Sequence, residues 1–240
     1  MWKNLLKNGS EILIRQQKNI FSAAVVIMLT IAASRILGLI RNRVLAHFFT
    51  AEDLSVYFAA FRLPETIFEI LIFGTLASAF IPTFTSYLSK NQEKEAWYVM
   101  NAIMNIALIF FLFLAIFLLI FSNPLYKVIA PGFSLSQVEI TANLARILIL
   151  AQVFFILSYF LTAVLESFQR FLIPALSPLF YNLGIILTTI FLAKKTGIYA
   201  PTFGAVIGAF FHFLIQLPLA FHLGFRPNFI FDFSHSGVKK

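Results

Sequence analysis

The chain has 240 residues, of which 60% are hydrophobic and 12% charged, with 31 Phe and a mean hydropathy of +0.89. A water-soluble domain of that length cannot hide so much apolar surface, whereas lipid accepts it without penalty, so composition excludes a soluble domain. The absence of Cys excludes disulfide frameworks, thiolate metal sites and a Cys nucleophile, and the net charge of +8 is scattered among apolar runs with no basic tail or nucleic-acid module, so no nucleic-acid partner is expected.

In chain order, residues 1–19 alternate Lys3, Lys7, Arg15 and Lys18 with Leu5, Leu6, Ile12, Leu13 and Ile14, an amphipathic pattern suited to an anionic membrane surface. The apolar run that follows lacks a small-residue cleavage site, which argues against a signal peptide. Six transmembrane helices are then predicted, over about 20–48, 54–88 with a break at Pro64, 96–121 ending at Asn123-Pro124, 141–168, 173–193 and 202–223. Each is close to or above the ~20 residues that ~30 Å of hydrocarbon requires. The reading is an all-α polytopic membrane protein: an amphipathic segment 1–19, a six-helix bundle over 20–224 and a cytoplasmic tail 225–240.

The stretch from Ser34 to Tyr87 stands out because it sets Arg35, Arg41, Arg62, Glu65 and Glu69 inside runs otherwise fit to cross a bilayer. An ionisable group there costs several kcal/mol unless it faces protein or water. At 100° per residue, Ser34, Arg35, Gly38, Arg41 and Asn42 fall within an arc of roughly 120°. Arg62, Glu65 and Glu69 share a face of the next helix beside Pro64, which removes a backbone donor and is expected to kink or break that helix. Two such stripes facing each other are what a polar cavity needs.

Ten Lys and Arg lie on the N-terminal side of the predicted crossings and four, Arg43, Lys127, Lys194 and Lys195, on the other, so the positive-inside rule places both termini in the cytoplasm. Arg146, in the fourth helix, is expected to snorkel to the interface. Gly204 and Gly208 form a G-x-x-x-G, and Gly74 with Ser78 a similar pair, both read as packing within the bundle. His47, His212, His222 and His235 are dispersed without metal-ligand spacing, so no metal or cofactor is expected, and the Asn8-Gly9-Ser10 sequon on the cytoplasmic side is expected to be unmodified. No Ser/His/Asp or paired-carboxylate arrangement suggests an enzyme.

S-R-I-L-G-L-I-R at Ser34–Arg41, F-R-L-P at Phe61–Pro64, A-F-I-P at Ala79–Pro82, A-P-G-F at Ala130–Phe133, Q-R-F-x-x-P-A at Gln169–Ala175 and Q-L-P at Gln216–Pro218 occur in an order and spacing that resembles the N-terminal half of the MurJ/MviN lipid II flippases, of the multidrug/oligosaccharidyl-lipid/polysaccharide exporter superfamily. The resemblance spans about Asn19 to the C-terminus. It implies one lobe of a two-lobed transporter in the bacterial cytoplasmic membrane. It also implies a substrate, undecaprenyl-diphosphate-linked muropeptide moved from inner to outer leaflet for peptidoglycan synthesis, with Arg35 and Arg41 matching cavity arginines thought to meet the diphosphate. Ser55, Asn42 and the pair Phe68-Glu69 depart from residues usual in the family, an Asp, an acid and a basic pair respectively.

On this reading Arg35, Arg41, Arg62, Ser34 and Asn42 contact the substrate, and Glu65 and Glu69 serve ion coupling or charge pairing. The partners are lipid II, the bilayer and a second bundle, either a C-terminal half or a second copy. Two other functions fit the same residues: export of a different substrate, a lipid-linked polysaccharide or a cationic drug with Glu65 or Glu69 as the ion site, and a non-transporting membrane subunit whose charges pair with one another.

Overall fold

The computed structural model describes residues 20–72 and 80–238. Among these the chain is helical, with no strand, in α1 (Ile20–Phe48), α2 (Ala51–Ile72), α3 (Ile81–Ser89), α4 (Glu93–Ile129), α5 (Leu135–Ser167), α6 (Leu172–Thr196), α7 (Tyr199–Leu214) and the one-turn α8 (Leu217–His222). Since α7 and α8 form a single interrupted run, Tyr199–His222, the described residues hold seven helices, not the six expected. The extra one arises in the run expected over 54–88, which is α2 and α3: Pro82 sits in the first turn of α3, where its missing N–H has no intrahelical partner to lose. Four runs, α4, α5, α6 and α7 with α8, are long and apolar enough to cross a membrane by length and composition. The amphipathic segment 1–19, its sequon and the Gly74/Ser78 pair lie outside the described residues.

Helix α5 is the axis of the bundle, in contact with α2, α3, α4, α7 and α8. A Ser134/Gln137 capping box starts it, and the Gln137 amide donates to Glu52 Oε1 at 2.8 Å, tying its first turn to that of α2. Thr50 and Asp53 cap α2 reciprocally, Asp53 N–H to Thr50 Oγ1 at 3.2 Å and Thr50 N–H to Asp53 Oδ2 at 3.1 Å. At the opposite end of the bundle Trp97 gathers Phe84, Phe168 and Phe225, so the α3–α4 turn, the α5–α6 turn and the chain after α8 lie together. Much of the outer face of α4 is bare hydrocarbon, with Phe110, Phe113, Phe117 and Ile120 exposed, which suits contact with lipid.

Proline is handled differently from what the sequence suggests. The α2 helix is not broken at Pro64, and α4 runs through Pro124 to Ile129. Pro64 has no N–H to give the carbonyl of Ala60 four residues back, and in lipid a bare carbonyl costs several kcal/mol. The buried Tyr126 hydroxyl supplies the missing donor, 2.8 Å from Ala60 O. Near Pro124, Arg146 is half-buried: its Nε donates to Leu119 O at 3.2 Å and its Nη1 to Asn143 Oδ1 at 2.6 Å.

The G-x-x-x-G packs within the bundle, as expected. Helices α6 and α7 approach so closely that a Cβ on Gly208 would lie 2.6 Å from Tyr181 O, and one on Gly184 would lie 2.7 Å from Gly204 O. After α8 the chain returns along α4, where the Asn101 amide donates to Arg226 O at 3.1 Å and the Asn105 amide to Asn228 O at 2.8 Å. Asp232 is held down to about 2 by the hydroxyl and N–H of Ser234 and by the Tyr98 hydroxyl. That depression makes its contribution complete above the ordinary carboxylate value of 3.8, and it is lost only as pH falls towards 2.

Two changes test this packing. Tyr126→Phe is expected to cost ~1 to 2 kcal/mol in the wild-type background and clearly less beside Pro64→Ala, where an Ala N–H reaches the Ala60 carbonyl. Equal losses in thermal unfolding of both backgrounds would show that the hydroxyl does not serve that carbonyl. Gly208→Ala should cost ~1 to 3 kcal/mol by overpacking, and Gly132→Ala, with open space around its Cβ, under ~0.5 kcal/mol.

Candidate functional site

Helices α1 and α2 are joined by only Phe49 and Thr50, yet they touch little beyond that connection: α1 lies along α6, and α2 lies on α5 and α4. The space between them is a groove. On the inner side of α2 is a cavity of about 220 Å³, lined by Phe61, Glu65 and Phe68 of α2, Gln152, Phe155 and Tyr159 of α5, Pro178 and Tyr181 of α6, and His212 of α7.

Of the polar arc predicted on α1, the structure turns Ser34, Gly38 and Arg41 partly inward and leaves Arg35 and Asn42 exposed beside them. Gly38 is the close point with α6, its Cβ position 4.0 Å from Asn182 Oδ1, a buried oxygen without a hydrogen-bond partner. Arg41 donates through Nε and Nη2 to its neighbour Asn42 at 3.2 and 3.1 Å, which fixes the plane of the guanidinium. It also lies within electrostatic reach of Tyr57 and Tyr181, and Tyr181 is within reach of Glu65, so Arg41 and Glu65 address one tyrosine from two walls. Glu69 joins Glu65 near Tyr159.

Arg35 makes no hydrogen bond or ion pair among the described residues. The ion pair they do contain joins His235 to Glu95 at 3.3 Å, outside the groove. Among the described residues Arg35, Arg41 and Arg62 form no ion pair with Glu65 or Glu69, although Arg62 lies within electrostatic reach of Glu65.

One constellation was missed by sequence reasoning. His212, with 6% of its surface exposed, lines the cavity and stands 2.5 Å through Nδ1 from Ser158 Oγ. The Gln216 amide donates to Ser158 Oγ at 2.6 Å and its carbonyl accepts from Thr162 Oγ1 at 3.0 Å. The signal was present: Ser158 and Thr162 on one helix and His212 and Gln216 on another are both four apart, so each pair shares a face. Dispersed histidines hide that pairing when they are scanned only against each other.

Four runs long and apolar enough to cross a bilayer, beside two helices that carry Arg35, Arg41, Arg62, Glu65 and Glu69, define a multi-pass membrane protein. The comparisons narrow the class. The family model described as Lipid II flippase MurJ matches residues 44–240, and the chain belongs to that family. It is 30% identical over 218 residues to a protein of Buchnera aphidicola subsp. Acyrthosiphon pisum named probable lipid II flippase MurJ, covering 88% of this chain and 43% of that protein. It is 31% identical over 182 residues to the lipid II flippase MurJ of Thermosipho africanus, covering 75% and 37%. A solved structure, lipid II flippase MurJ in an inward closed conformation, superposes with a TM-score of 0.74 at 25% identity over 90% of this chain and 45% of that one. The chain thus spans less than half the length of the relatives it matches.

Replacing Gln216 by Leu strands the Ser158 and Thr162 hydroxyls and should lower stability by ~1 to 3 kcal/mol, whereas His222→Leu, at an exposed site, should change it by under ~0.5 kcal/mol. Thermal unfolding in detergent checks both; equal small effects would mean the cluster carries no structural weight.

Proposed function

We propose that the chain is one lobe of a carrier that moves lipid II between the leaflets of a bacterial inner membrane, with both termini on the cytoplasmic side. The observation that carries the reading is the set of arginines left without carboxylate partners in the groove of a chain from this family. A lipid diphosphate cannot take its head group through hydrocarbon alone. Arg35, Arg41 and Arg62, with Ser34 and Asn42 beside them, offer fixed cations and donors, and the planar guanidinium meets phosphate oxygens as a fork while keeping its charge. The prenyl tail stays in lipid through the gap between α1 and α2. No bond is made or broken, so the reading is of a transporter and not an enzyme.

The ten Lys and Arg on the N-terminal side of the predicted crossings, against four, Arg43, Lys127, Lys194 and Lys195, on the other, support the orientation. A second bundle completes the path, because alternating access needs two lobes that rock against each other about the site. The relatives' greater length supports a C-terminal half in that role over a second copy.

Binding of undecaprenyl diphosphate to the full chain in lipid nanodiscs tests the central contact. Arg41→Ala is expected to weaken it roughly tenfold or more and Arg41→Lys by less, since Lys keeps charge but loses the fork. Wild-type affinity in a folded Arg41→Ala variant contradicts the assignment.

A further inference from the structure

The cavity beside α2 has the opposite character to the arginines. Among the described residues no Lys or Arg side chain lines it, and its one carboxylate is Glu65. Around Glu65 stands a continuous set of rings: Phe68 and Tyr159 are 5.4 Å apart by centroid, Phe155 and Tyr181 5.1 Å, Phe155 and His212 5.4 Å, and Tyr159 and His212 6.2 Å with planes 14° apart. Arg62, three residues before Glu65, acts on it electrostatically but makes no ion pair with it among the described residues. Gln152 lines the same cavity at 3% exposure, and its side-chain amide has no hydrogen-bond partner among the described residues.

A carboxylate and an unpaired amide oxygen within walls of π-face suit a cation that is itself partly apolar. Ring quadrupoles attract an ammonium, the carboxylate balances its charge, and the apolar edges cover the attached methylenes. A bare metal ion lacks the donors here, since the described residues contain no group of three His, Asp or Glu that could hold one. An anion is repelled by Glu65.

We propose that this cavity binds a primary alkylammonium group, with Glu65 and Gln152 Oε1 accepting its N–H bonds and Phe68, Phe155, Tyr159 and Tyr181 enclosing its stem. The ammonium belongs either to the head group of the carried lipid, bound by one end at Arg41 and by the other at Glu65, or to a free alkylamine. The site does not depend on the flippase reading. It gives the groove two poles, cationic on α1 and anionic in the cavity.

The test is calorimetric titration of the full chain in nanodiscs with n-butylammonium, with n-butanol as its neutral counterpart. The expected result is saturable binding of the ammonium that n-butanol does not displace, weakened roughly tenfold in Glu65→Gln, where one charge-assisted hydrogen bond is lost, and weakened also in Tyr159→Leu. Circular dichroism melts confirm that both variants are folded. Competition by lipid II carrying a free peptide amine, but not by the same lipid N-acetylated, assigns the ammonium to the head group; competition by neither assigns it to a free amine. Displacement by n-butanol, absence of binding to the folded wild type, or unchanged affinity in both variants overturns the proposal. Undecaprenyl diphosphate binding measured on the same wild-type sample separates failure of this site from failure of the arginine contact.

Discussion

An ion in hydrocarbon needs a partner or water, and the arrangement of the described bundle follows from meeting that need for a few side chains. Near the bilayer centre each isolated charge costs on the order of 3 kcal/mol. Arg41, Glu65 and Glu69 are nonetheless carried on α1 and α2, which diverge from a two-residue connection instead of packing on each other. The divergence opens a groove, and the inner side of α2 faces a cavity lined by Tyr159, Tyr181, Gln152 and His212. A closed pair of helices would have forced these side chains to neutralise one another. The open pair keeps their charge available, which is the property a polar cargo requires.

The same economy governs the backbone. Lipid provides no donors, so each helix interruption has to be repaired by protein. Tyr126 repairs the Ala60 carbonyl that Pro64 leaves free, Arg146 donates to the Leu119 carbonyl of α4, and Asn101 and Asn105 hold carbonyls of the returning chain. These polar groups look like isolated oddities in the sequence, and in the fold each is matched to a backbone group far along the chain. Where no repair is needed, close contact does the work: glycines bring α6 and α7 together until backbone meets backbone.

Membrane class and helical content were legible because a run of apolar residues has few alternatives. The C-terminal end of α1, Phe48, could be read from the residues around it. Pro64 misled, because a proline announces the donor it lacks but not the hydroxyl that replaces it. The run expected over 54–88 is described as α2 and α3, and Pro82 lies in the first turn of the second. In the site, the polar face of α1 was visible from spacing alone. Its division, with Ser34 and Arg41 turned partly inward and Arg35 exposed, depends on the α6 surface it meets and has no local signature. His212 was overlooked because its partners are a Ser and a Gln rather than other titratable groups.

The central claim is that the groove between α1 and α2 is wet while the outer faces of the bundle are not. With no native Cys, single spin labels report on it cleanly. Labels at Ser34, Asn42 and Tyr159 should collide readily with a water-soluble nickel chelate in nanodiscs, and labels at Leu39, Phe113 and Ile120 should collide with oxygen and be shielded from the chelate. Labels at Ser34, Asn42 and Tyr159 with the oxygen-rich, chelate-poor profile of Phe113 would contradict the account.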